Sequence, residues 1–201
     1  MKLYSYVVAR DYGFAPNPFF GLCTLATCKP RIRSNAQLGD WIVGTGSTHY
    51  GLQGRLVYVM KATEALTYNQ YWNDPRFKCK RPNLSGSLKQ AYGDNIYHRR
   101  PKAKRWIQED SHHSLPNGQP NPNNVSHDTQ TNRVLIGTEF VYWGAEGPLV
   151  PKRFRQYKGF DLCANRGHKC NFPDDLVNAF LSWVQSLGAN GYVSRPAEFG
   201  K

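Results

Sequence analysis

No apolar run in the 201 residues is long enough to span a bilayer, and no basic amphipathic helix stands out, so a membrane role is set aside. Acidic residues are scarce as well: 14 Asp and Glu stand against 26 Lys and Arg, a formal charge of +12. That imbalance points to an anionic partner, nucleic acid or nucleotide first, although solubility alone also accounts for it. A phosphate-cradling loop ending in Lys and Ser or Thr, a Gly-x-Ser-x-Gly elbow and a paired-histidine zinc motif are all missing. No cofactor is therefore expected. The five cysteines include no CxxC pair, and an odd number argues against a disulfide framework. In MKLYSYVVARDYG, Arg10 and Asp11 cut the apolar stretch before a secretory core is complete, so reduced thiols in a cytoplasm are expected. Cys163, His168 and Cys170 are close in sequence, with Cys23 and Cys28 available to complete a ligand set, but CxxxxHxC is not a standard zinc knuckle. Metal binding at those residues is left open.

No shift in composition divides the chain, and residues 1–201 read as a single domain. Leu3 to Ala9, rich in Tyr and Val, reads as a first strand. Gly39 to Gly44 and Arg55 to Thr63 read as two strands of a hairpin or meander, the first launched from a Gly-Asp turn. Thr67 can cap a short helix through Trp72, ended by Asp74-Pro75. Arg133 to Gly137 and Glu139 to Trp143 are further strand-like runs. Near the end, Asn171 can cap, Pro173, Asp174 and Asp175 suit a first turn, and Gly188 can stop a helix. Its stripe of Leu176, Val177, Phe180, Leu181, Val184 and Leu187 needs a sheet to cover. The expected fold is α+β, with a mixed β core, long ordered loops and a C-terminal packing helix.

The segment from Gly93 to Arg133 has little apolar periodicity and many chemically capable side chains. Its first half sets Arg99, Arg100, Lys102, Lys104 and Arg105 beside Trp106, a mixture of cation and aromatic that suits phosphates and bases. Its second half holds Asp110, His112, His113 and Asp128, which can supply an acid or base with an orienting carboxylate, and Arg133, which can neutralise developing charge. Asx turns and ordinary loop histidines are the competing account. Lys29, Arg31 and Arg33 alternate with Pro30 and Ile32, so an extended segment places three cations on one face as a phosphate track or as a charged, solvated edge. Base contacts are assigned to stacking by Trp41, Tyr97 or Trp143 and to polar groups of Asn17, Asn95, Thr129 and Gln130. For Trp41 and Asn17, a core ring and a self-satisfied turn remain the alternatives.

GDWIVGTGS followed by GRLVYVMKATEAL and YNQYWNDPRF resembles the core of the PUA and EVE class of barrels over Gly39 to Phe77, and implies a PUA-like β-barrel. A longer series, PNPFFGLCTLATCKPRIR, GDWIVGTGS, YWNDPRF, GDNIY, DSHHS, HDTQTNRVLI and FVYWG, resembles the nucleotide modification associated domain 2 family of bacteria and phages. That resemblance implies a role around modified nucleotides in phage and host conflict, and brings no catalytic residue set with it. Three readings follow: a module recognising a modified base in a nucleotide or nucleic acid, an enzyme using His112 or His113 with Asp110 or Asp128, and a protein interaction module.

Overall fold

In the computed structural model, which describes residues 1–200, the strand β1 (Leu3–Val8) lies parallel to β3 (Trp41–Gly46). The Gly39-Asp40 turn launches β3 as expected: Gly39 takes φ +91°, and the Asp40 carboxylate accepts Lys2 N at 2.7 Å and Gln37 N at 2.9 Å. β3 pairs antiparallel with β4 (Leu56–Lys61), the predicted hairpin.

The chain folds as two compact units, the first formed by residues 1–11, 36–63 and 137 onward. Its sheet runs in the order β10-β1-β3-β4-β9-β11, where β9 is Phe140–Tyr142, β10 is His168–Lys169 and β11 is Gly191–Tyr192. The short helix α5 (Lys152–Arg155) and the long α6 (Asp174–Ser186) complete it. Leu176, Val177, Phe180, Leu181 and Val184 of α6 bury their stripe against Leu3, Trp41, Val43, Val59 and Trp143. The cap position falls on Pro173 rather than Asn171, and Gly188, at φ +64°, ends the helical path.

The second unit comprises residues 12–35 and 64–136. It holds a sheet ordered β2-β8-β5, with β2 at Cys23–Leu25, β5 at Glu64–Leu66 and β8 at Val134–Gly137. A two-stranded ribbon joins β6 (Tyr97–His98) to β7 (Ile107–Gln108). Its helices are α1 (Pro30–Asn35), α2 (Tyr68–Asn73), α3 (Leu88–Ala91) and α4 (Pro122–Asp128). Thr67 caps α2 in a reciprocal box with Gln70, and Asp74 ends it. Buried Lys80 donates to Asn17 O, Asn17 Oδ1 and Leu22 O, while Asp94 accepts from Thr24 and Tyr71, so β2 is anchored by a polar network inside an aromatic core.

The fold is thus a mixed α/β arrangement, and the PUA-like barrel is not observed: the described residues form no closed barrel. The six-stranded sheet ends in two-residue strands, β10 and β11, which do not pair with each other. Past Thr63 the chain leaves that sheet and β5 pairs instead with β8.

Candidate active site

After β2 the chain turns through Ala26 to Lys29 into α1, and Pro30 at its start has no amide to leave unpaired. Cys28 and Lys29 both adopt left-handed backbone, φ +55° and +39°, at a cost of about 1–3 kcal/mol each for non-glycine residues. Contacts from Asp128 and Arg33 hold this elbow. Asp128 Oδ1 accepts Cys28 N at 2.7 Å, and Arg33 Nε donates to Cys28 O at 2.8 Å. The strained turn presents the thiol.

Cys28 Sγ lies 3.8 Å from His113 Nε2, and His113 Nδ1 lies 2.8 Å from Asp128 Oδ2. The carboxylate therefore fixes which ring nitrogen faces the sulfur. Asp128 closes α4, where Asn121 caps the first turn by accepting Asn123 N at 3.1 Å. Tyr97 OH donates to Asp128 Oδ2 at 3.0 Å and receives Gln108 Nε2 at 2.9 Å. Accessibility falls from sulfur to carboxylate: Cys28 is partly exposed, the His113 side chain 14 % exposed and the Asp128 side chain fully buried. An exposed-to-buried order of thiol, imidazole and carboxylate is one that thiol chemistry can use.

The electrostatics agree. Burial opposes charge on His113, but hydrogen bonds to Asp128 and Cys28 and the charges of those partners outweigh it, raising the imidazole to about 9. Burial also works against the Asp128 carboxylate. The hydrogen bond and charge of His113, Cys28 N–H and Arg33 nevertheless hold it below its ordinary range. At neutral pH the ring carries its proton and can donate it.

Aromatic rings flank the imidazole. The Phe14 ring centre is 4.6 Å from that of His113, Tyr12 stacks on Tyr92 at 5.0 Å, and His112 packs on Tyr12 at 4.2 Å. In the same unit, Arg100, Arg105, Trp106 and Gln108 line an open pocket of about 390 Å³. Gln108 is shared: it borders this pocket and bonds Tyr97, which bonds Asp128.

Of the residues proposed from sequence, His113 and Asp128 come together, while exposed Asp110 makes no hydrogen bond to His113 and His112 lies among the tyrosines. Arg133 instead donates to Ser34 O at 3.1 Å. The extended track of Lys29, Arg31 and Arg33 is corrected, because the segment is helical and Arg33 is fully buried with five internal hydrogen bonds. Arg31 is exposed, and burial lowers the partly covered Lys29 ammonium. Stacking by Trp41 and Trp143 is corrected too: both are core residues against α6.

Tyr97, Asn17 and Asn95 are likewise buried with internal partners, although Asn95 Oδ1 has none. Thr129 spends its hydroxyl on Val125 O, and Gln130 is exposed. Arg100, Lys102, Lys104 and Arg105 are exposed, whereas Arg99 stacks its guanidinium on Trp106 at 3.6 Å. Among the described residues no group of three or more His, Cys, Asp and Glu is placed to hold a metal. Cys163 is buried, its thiol pushed up to about 11 by that burial.

Sequence reasoning missed Cys28 as the partner of His113, and Tyr12, Phe14 and Tyr92 as ring neighbours. The signal for Cys28 was local: an apolar run, LCTLA, then Thr-Cys-Lys-Pro, which is a strand, a turn and a helix start.

Compared with known proteins, residues 1–201 match the family described as nucleotide modification associated domain 2. No curated protein and no solved structure matches the chain. No helix of the described residues is long and apolar enough to cross a membrane.

Proposed function

The chain belongs to the nucleotide modification associated domain 2 family, and from that premise we propose that it is a thiol-dependent enzyme acting on a nucleotide or on a nucleic-acid residue. One observation carries the reading: the Cys28–His113–Asp128 chain, built on a strained elbow with Asp128 buried and Cys28 partly exposed. Cys28 is the nucleophile, His113 the proton carrier and Asp128 the positioning residue. Arg100 and Arg105 beside Trp106 hold the phosphates. In the bacterial or phage setting that the family resemblance implies, modified nucleotides are the natural substrates. The chemistry replaces pure recognition as the leading account, since a reader of bases has no use for a thiol held in a strained turn against an imidazole.

The chain supplies its own control. Cys79 is exposed and Cys28 only partly so. Limited alkylation with iodoacetamide at pH 7 should label Cys28 at least about tenfold faster than Cys79, because reactivity at such a site exceeds what exposure gives. Peptide mass mapping reads the order, and labelling at Cys79 first would remove the thiol from the reading.

For the phosphate contacts, log affinity for single-stranded DNA should fall linearly with log salt, and Arg100→Ala with Arg105→Ala should reduce that slope by about 1.4, roughly 0.7 per contact. A slope unchanged in the double variant would move the phosphates elsewhere.

A further inference from the structure

A thiol nucleophile on a nucleotide can attack an acyl carbon, or it can add to the electron-poor carbon of a base. Resting on the reading above, we infer that the acceptor for Cys28 is C6 of a pyrimidine ring, attacked by conjugate addition. Two independent features of the site favour it.

The first is what the elbow cannot supply. Acyl transfer places a tetrahedral oxyanion next to the nucleophile, where backbone N–H groups of the nucleophile's own turn usually receive it. Here Cys28 N–H is committed to Asp128 Oδ1 at 2.7 Å, and Pro30 has no N–H. Of the amides at Cys28, Lys29 and Pro30, the turn can therefore offer at most that of Lys29 to an oxyanion beside Sγ, where acyl transfer uses two or more donors. Conjugate addition makes no such demand, because the negative charge moves through the ring to the oxygen or nitrogen at C4, away from the sulfur.

The second is the shape of the surroundings. His113 packs on the buried ring of Phe14, and the aromatic surface open to a ligand is that of half-buried Tyr12 and Tyr92 and exposed His112. Flat rings beside the proton carrier suit a flat acceptor stacked face-on, and a base offers one whatever its substituents.

The step balances without a second reagent. As the Sγ proton passes to solvent, a sulfur lone pair forms the S–C6 bond, and the C5=C6 π pair passes through C4 onto its oxygen or N3. C5 then takes a proton, from His113 or through water from it. In reverse, one proton leaves C5, the pair returns to C5=C6, and the S–C6 bond breaks with its electrons on sulfur. The ring is unchanged, except that the hydrogen at C5 has been exchanged with solvent.

That exchange is the test. Whole protein is incubated with dUMP, dCMP and a short single-stranded oligonucleotide containing both bases in deuterium oxide, and the H5 proton signal is followed. Loss of H5 on at least one probe, at least about 100-fold faster than with Cys28→Ser, is the expected result. H5 retained on all three probes, while Cys28 still alkylates ahead of Cys79, overturns pyrimidine addition and leaves the thiol reading standing. Hydrolysis of an activated acyl ester by wild type and not by Cys28→Ser, with H5 retained, overturns it in favour of acyl transfer. H5 retained with Cys28 no faster than Cys79 overturns both together.

Discussion

Cys28→Ser should lower turnover on any nucleotide substrate of this protein by at least about 10³-fold while changing folding stability by less than about 1 kcal/mol. The near-isosteric hydroxyl keeps the elbow, because the contacts that hold it, Asp128 Oδ1 to Cys28 N and Arg33 Nε to Cys28 O, use backbone atoms. What is lost is the polarisable sulfur. His113→Gln should cost a similar factor, and Asp128→Asn less, because the ring remains in place to carry a proton even though the charge that favours that proton is lost. The pH profile separates these roles. With His113 raised to about 9, its capacity to donate falls as pH rises through about 9, and in Asp128→Asn that limb should move to lower pH. A limb fixed at the same pH in Asp128→Asn would show that another group controls it.

The same pair tunes stability, and the sign follows from linkage. His113 is raised on folding, so its contribution is fully present below its unfolded value of about 6.5 and is lost as pH rises through about 9. Asp128 is lowered, so its contribution is present above about 3.9 and is lost as pH falls through its folded value. The two groups share one interaction, which counts once. Denaturation at pH 6 and pH 9.5 should therefore show wild type losing more stability across that interval than His113→Gln does.

The parts of this architecture that were legible in the sequence are those written in local chemistry. The Gly39-Asp40 turn, the Thr67 cap with Gln70 three residues on, and the apolar stripe of α6 each declare themselves within a few residues. His113 and Asp128 were both named as candidates, but adjacency also offered His112 and Asp110, and only the fold chooses among them. The barrel failed for a related reason, since β3 and β4 form a hairpin that reads identically in an open sheet and a closed one. Cys28 stayed hidden because left-handed backbone is usually signalled by glycine, and here Cys and Lys are forced into it by contacts from Asp128, 100 residues away, and Arg33. Arg33 misled most, for alternation with Pro30 and Ile32 reads as a solvated edge until the helix turns it inward.

That buried arginine sets a large stability effect in the second unit. Arg33 Nε donates to Cys28 O at 2.8 Å, Nη2 to Asp128 O at 2.6 Å, and Nη1 to Tyr68 OH at 2.8 Å, Arg133 O at 2.8 Å and Thr131 O at 3.3 Å. One planar fork thereby ties the Cys28 turn to the end of α4 and the start of β8. Arg33→Met fills similar volume yet leaves those acceptors facing an apolar chain, so it should cost about 3–5 kcal/mol, or about 6–20 °C in Tm for a chain of this size. Arg33→Lys should recover only a minority of that loss, because one ammonium cannot span acceptors arrayed around a guanidinium. Arg76 provides the contrast: it pairs with Glu64 at 2.8 Å and Asp74 at 2.7 Å, but its side chain is 49 % exposed. Arg76→Ala should cost no more than about 1 kcal/mol despite its comparable list of bonds. If thermal unfolding ranked Arg76→Ala as the more damaging change, solvent screening would not be what separates the two arginines, and the clamp on Cys28 would lose its energetic basis.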